Sequence, residues 1–292
     1  MNKLLQAAIA GAIVWFAAAP ALADPAFNVD GATVAKTGSG AKSVILIPGL
    51  GGGAYVWDRV APALAARYTV YTITLPGFDG VPAVKAPYLP VYERAIADLI
   101  AHEHLVKPTL VGHSLGGHLA LKLAESQPDL IGAIVAVDAL PLFPLQQPGE
   151  TPQSRAASVV AFRNALTDTP LYAYAAQTRA MTAALVTSSR DVETIAVHSL
   201  RADRTAFAGA AAEMALEDLA PGLTAIAAPV LVLAAAPSEA TAPQYAAVYR
   251  QLYAGTPHLD VRAIGTSKHF IMFDRPAAFQ SALDAFLATN AR

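Results

Sequence analysis

Five apolar runs recur along the chain without the every-second-residue polar alternation of a strand that keeps one face in water: "KSVILIPG", "YTVYTITLPG", "PTLVGH", "IGAIVAVDAL" and "APVLVLAAAP". Such strands must be covered on both faces, which is the condition of a parallel sheet held between two layers of helices. The intervening segments supply those helices. Val56 to Arg67 has helical spacing with Trp57, Val60 and Leu64 on one face, and further helices are predicted over about Tyr92–Leu105, Leu115–Ser126, Pro243–Leu252 and Pro276–Thr289. "LDVRAIG" reads as one more strand, and "FNVDG" with "ATVAKTG" as two edge strands joined by a tight turn at Asp30-Gly31. From Pro141 to about Gly222 strand-like runs vanish and alanine-rich helical segments follow one another, broken at Thr169-Pro170 and Ser188-Ser189. The pattern predicts a doubly wound α/β core over residues 24–140 and 223–292, with a helical cap inserted at 141–222.

The first 23 residues differ in kind. Met1-Asn2-Lys3 carries one positive charge, Leu4 to Ala19 is almost wholly apolar, and Ala21-Leu22-Ala23 gives a small-x-small pattern before Asp24. This is the layout of a secretory signal peptide cleaved after Ala23, with a periplasmic or secreted destination; an uncleaved anchor helix is the competing reading. Mean hydropathy is +0.41, raised by alanine, yet beyond the N-terminus no apolar run reaches the ~20 residues of a spanning helix. Loss of Lys3 moves the formal net charge from −2 to −3, a balance that favours neither nucleic acid nor an anionic membrane surface. The chain has no cysteine, which removes thiol catalysis and thiolate metal sites.

One short motif carries chemistry. Gly112-His113-Ser114-Leu115-Gly116 sits between a predicted buried strand and a predicted helix. The pentapeptide alone arises by chance in roughly one chain of this length in ten. Its position matters more: a strand-to-helix turn so sharp holds the serine in a strained conformation at a helix N-terminus, where negative charge is favoured.

With these segments together the chain resembles the α/β-hydrolase family over nearly all of its length after the leader. "ILIPGLGGGAYVWDRVAPALA" is similar to that family's oxyanion-loop segment, "LPGFDG" to its next strand-to-loop junction, "LVGHSLGG" to its nucleophile elbow, and "KHFIMFDRPAAF" to its histidine loop and final helix. The resemblance implies Ser114 as nucleophile and, after the last strand, His269 as base. The other six histidines read as packing or surface residues: His102 and His104 at a helix end, His113 and His118 flanking the elbow, His198 in the insertion and His258 before a strand. His113 adjoins Ser114, but consecutive strand residues point to opposite faces.

For the acid, two positions compete. The family usually carries it after the strand "PVLVLAAAP", where this chain offers Glu239 and no aspartate. Asp138, at the end of "VAVDALP", corresponds to the acid of some members such as haloalkane dehalogenases, and a carboxylate in so apolar a run needs a partner. Asp138 is favoured over Glu239. Asp274 lies too near His269 along the chain and reads as the cap of the final helix. The resemblance further implies an oxyanion hole from the backbone N–H groups of Leu50 and Leu115, although proline precedes Gly49 where most relatives have histidine.

Together these residues imply acyl transfer on a small-molecule substrate without metal or cofactor. Serine rather than aspartate at the elbow argues against a dehalogenase or epoxide hydrolase. A carbon–carbon bond hydrolase, a lactonase or a cofactor-free haloperoxidase-like activity would use the same residues, and a ligand-binding protein could be built on the same scaffold. The insertion offers Leu142, Phe143, Phe162, Leu166, Leu171, Tyr172, Tyr174, Met181 and Phe207 with few charges, which suggests an apolar pocket and an uncharged ester of modest size.

Overall fold

The computed structural model describes residues 26–142 and 151–291; the leader and Phe143 lie outside them. The chain opens with a hairpin, β1 (Phe27–Val29) and β2 (Ala32–Thr37), turned at Asp30-Gly31 as expected. Next come β3 (Ser43–Ile47), a 3-10 turn at Ala54–Trp57, α1 (Ala61–Ala65), β4 (Thr69–Thr74), α2 (Tyr88–His102), β5 (Thr109–His113), α3 (Leu115–Ser126) and β6 (Ala133–Val137). Four helices then intervene: α4 (Pro152–Asp168), α5 (Leu171–Leu185), α6 (Ser189–Ser199) and α7 (Arg204–Leu216). The core resumes through a 3-10 turn at Ala220–Ala225 with β7 (Val230–Ala235), α8 (Ala242–Leu252), β8 (Leu259–Ile264), α9 (Ile271–Asp274) and α10 (Pro276–Asn290).

The eight strands form one sheet in the order β1-β2-β4-β3-β5-β6-β7-β8. Pairing is parallel from β4 to β8 and antiparallel only where β2 meets β1 and β4, so β1 is an edge while β2 is not. Alternate residues feed two cores. Ile45 and Ile47 of β3 join Ile96 and Leu99 of α2 and Leu119 of α3, whereas Val44 and Leu46 join Leu64 of α1 and Phe279 and Leu283 of α10. Each of these buried side chains stabilises the fold by roughly 2 kcal/mol. The chain steps from β3 outward to β4, then returns to place β5 on the other side of β3, and such a reversal opens a crevice at the carboxyl ends of the strands.

Two helices differ from their sequence patterns. Val56–Arg67 is not one helix, because Pro62 supplies no N–H and its ring would clash with the carbonyl four residues back; the segment splits into the 3-10 turn and α1. Helix α2 starts at Tyr88 rather than near Tyr92, since Pro90 falls in the first turn, where no N–H is needed. The insertion leaves and rejoins the core through a tied stem. Leu142 and Asp218 form an antiparallel bridge, Leu219 N–H donates to the Pro141 carbonyl at 2.9 Å, and His118 on α3 meets both the Leu140 carbonyl (3.2 Å) and the Glu217 carboxylate (2.9 Å).

Candidate active site

Ser114 sits between β5 and α3 at φ 51° and ψ −116°, a region that costs a residue with a Cβ of order 1 kcal/mol or more. The turn exists because its neighbours are bare: a Cβ on Gly112 would lie 2.2 Å from the backbone of Gly116. Ser114 N–H donates to the Val137 carbonyl of the adjacent strand at 2.9 Å. The hydroxyl therefore stands at the N-terminus of α3, whose aligned peptide dipoles favour negative charge.

The neighbouring strand ends in a second strained residue. Asp138 follows β6 at φ 43°, and its side chain is 12% exposed. Its Oδ2 lies 2.7 Å from His269 Nδ1, and its Oδ1 accepts from Ala235 N–H (2.9 Å) and the Tyr249 phenol (2.7 Å). Burial opposes ionisation of Asp138, but the bond and charge of His269, with the other two donors, outweigh it and hold the carboxyl below the usual carboxylate range. Glu239, the rival position, pairs instead with Arg275 at 3.2 Å on the surface, its side chain 68% exposed.

His269 arrives on the segment after β8, and two residues hold that segment in place. His113 donates from Nε2 to the His269 carbonyl at 3.1 Å, and the two rings lie 4.5 Å apart. This bond fixes the His113 tautomer, with Nδ1 buried and without a partner among the described residues. Burial, and then the proximity of His269, push the His113 imidazole well below its ordinary range, so the ring is neutral. Asp274, read from sequence as a helix cap, does something else: its two oxygens accept from Thr187 N–H and Lys268 N–H, both at 2.8 Å, while α10 begins without a side-chain cap. The competing demand of the histidine segment's backbone took the carboxylate.

The Leu50 and Leu115 N–H groups donate to no acceptor among the described residues. Their loops are adjacent, for a Cβ on Gly49 would approach the Ser114 Cβ to 3.1 Å. Ser114, His269 and Leu50 share the wall of one cavity of about 200 Å³. A side lobe of about 80 Å³ continues it between Leu166, Tyr174, Thr178, Thr182 and Ile195, with Phe207 lining both. No Asp, Glu, Lys or Arg lines either space among the described residues. Of the apolar residues expected there, Phe162, Leu166, Tyr174, Met181 and Phe207 take part. Leu171 and Tyr172 point to solvent at 70% and 81% exposure, and Leu142 belongs to the stem.

His113 lines the same wall beside His269, whereas the remaining histidines stand apart from it. His198 binds Asp79 at 2.8 Å and stacks on Tyr55, His102 meets Glu103, and His258 lines a surface hollow far along the sheet. Among the described residues no three His, Cys, Asp or Glu side chains are grouped as metal ligands, and no helix is long and apolar enough to cross a membrane. Tyr249 and the holding roles of His113 and Asp274 escape a reading of the sequence; only the cost of burying Asp138 signals that further donors must exist.

Comparison with known proteins agrees with this architecture. A model of the alpha/beta hydrolase family matches residues 44–282. A putative carbamate hydrolase RutD of Yersinia enterocolitica is 33% identical over 108 residues, covering 36% of this chain and 39% of that protein. A pimeloyl-[acyl-carrier protein] methyl ester esterase of Aeromonas hydrophila is 35% identical over 114 residues, 38% of this chain and 42% of that protein. The matched stretch thus spans about two fifths of these relatives' length. The crystal structure of a hydrolase from Pseudomonas aeruginosa PA01 superposes with a TM-score of 0.74 at 22% identity, over 89% of this chain and 96% of that one. The chain belongs to the alpha/beta hydrolase family.

Proposed function

We propose that this hydrolase cleaves compact, uncharged carboxylic esters through an acyl-enzyme on Ser114. The observation that carries the reading is the 2.7 Å bond between Asp138 and His269, with His269 and Ser114 on the wall of one apolar cavity. His269 Nε2 takes the Ser114 proton as Oγ attacks the ester carbonyl, and Asp138 stabilises the imidazolium that forms. The free N–H groups of Leu50 and Leu115 receive the oxyanion, an interaction worth ~3 kcal/mol per donor in such sites. His269 then protonates the departing alkoxide, the acyl group stays on Oγ, and water repeats the attack to release the acid. A cavity below the ~300 Å³ of common ligand sites, with no charged side chain on its wall among the described residues, favours a small neutral substrate. Two of the partial relatives carry the names methyl ester esterase and putative carbamate hydrolase, which is in keeping with this reading.

A fluorophosphonate and a series of 4-nitrophenyl esters test the proposal. Wild type is expected to be labelled at Ser114 and to turn over short esters, and Ser114→Ala and His269→Ala to do neither. A folded wild type that resists labelling would instead mark a ligand-binding protein on this scaffold. Labelling without turnover of any ester, but with turnover of lactones or cleavable diketones, would move the reading to a lactonase or carbon–carbon hydrolase. We also propose that residues 1–23 direct export and are removed.

A further inference from the structure

An aspartate that orients a histidine needs its own orientation, since rotation about the terminal torsion of an aspartate is broad and exchanges its two oxygens freely. In this chain helix α8, which contributes nothing to the cavity wall, carries Tyr249 and is followed directly by Tyr253, four residues on and therefore on the same face. Tyr249 donates to Asp138 Oδ1 at 2.7 Å, and Tyr253 donates to the carbonyl of the next residue, Ala139, at 2.8 Å. Ala235 N–H, at the end of β7, gives Oδ1 its second donor.

We propose that Tyr249 is a positioning residue for the hydrolytic reaction: with Ala235 N–H it occupies Oδ1 of Asp138, which leaves Oδ2 as the oxygen presented to His269 Nδ1. The inference rests on the reading of Asp138 as the acid. Burial and the Asp138 charge push the Tyr249 phenol far above its ordinary range, so it remains a donor wherever the enzyme works. Tyr249 acts through Asp138 and not on substrate, because it lines neither lobe of the cavity. Tyr253 serves a different part of the same turn, holding the backbone after the strained Asp138.

The test is Tyr249→Phe, which keeps the ring and removes the donor, assayed on a short 4-nitrophenyl ester across pH. The expected result is a kcat lowered roughly tenfold, the scale of losing support behind a site residue, with KM unchanged. The acidic limb of kcat/KM is expected at higher pH, because a carboxylate stripped of a donor holds the imidazolium more tightly. In an Asp138→Ala background the same substitution should change nothing, and Tyr253→Phe should lower thermal stability while leaving the acidic limb in place. A Tyr249→Phe enzyme with wild-type kcat and pH profile overturns the proposal. So does an equal loss in both backgrounds, or an equal limb shift from Tyr253→Phe. If Asp138→Ala alone keeps full activity, the assignment of the acid is what fails, and the role of Tyr249 falls with it.

Discussion

Asp138 burdens the fold in two ways, with a left-handed backbone and a buried charge, and three donors answer the second. Those donors make the outcome of Asp138→Asn specific. Tyr249 and Ala235 N–H will hold the amide oxygen, which turns the NH₂ toward His269 Nδ1 and forces that nitrogen to accept. The proton then sits on Nε2, where a base is needed, and kcat is expected to fall about ten-thousandfold, as in other triads with the wrong tautomer; steady-state kinetics on a short ester will show it. A second expectation concerns His113. Its folded pKa is depressed, so below about 6.5 the unfolded chain takes a proton that the folded chain refuses. Its contribution is complete above that pH and is lost as pH falls, by at most ~1.4 kcal/mol per pH unit. Melting temperatures between pH 7 and 5 should therefore drop more steeply for wild type than for His113→Gln, which has no proton to gain. At this scale motif order in the sequence points to Ser114 and His269 as candidates, and the cost of burial favours Asp138 as the acid with Glu239 kept as the alternative. Tyr249 stays hidden because a tyrosine on an amphipathic helix looks alike whether it packs or donates.

The elements that sequence locates best are those specified by their own residues. The run from Leu115 to Ser126 is bounded by a glycine-flanked elbow and a following Gln-Pro, and it folds with those limits. Elements whose ends depend on distant partners are placed less well. Helix α2 gains its first turn because Glu213, on α7 across the molecule, accepts from the Tyr88 and Leu89 N–H groups at 2.8–3.0 Å. No local pattern near Tyr88 records that. The break between α6 and α7 does have a local mark, Asp203, whose carboxylate accepts from Ala206 N–H at the start of α7. Removing the long-range cap should be measurable: Glu213→Ala leaves two donors unanswered at about 1–2 kcal/mol. At about 2–4 °C per kcal/mol for a chain of this size, calorimetry should find a melting point lower by several degrees, with the ester kcat little changed.

For the whole molecule, alternation of strand and helix prescribes the doubly wound core, and the loss of strand runs after Pro141 announces the insertion. How the inserted helices settle over the core is not legible, because their alanine-rich surfaces specify contact without direction. Phe207 is a large side chain that lines both lobes, and its loss should alter selectivity. Phe207→Ala is expected to shift the preferred acyl chain of 4-nitrophenyl esters to greater length, read as a change in the ranking of kcat/KM. If the leader is removed as proposed, mass spectrometry of the exported protein should find Asp24 at its N-terminus. Phe162 on α4 and Met181 on α5 line the cavity and yet are 40% and 51% exposed, whereas α7 is moored to α2 through Glu213. The lining thus reaches the surface as a phenyl ring and a thioether, so under the proposed function a substrate that entered past them would meet apolar surface before Ser114.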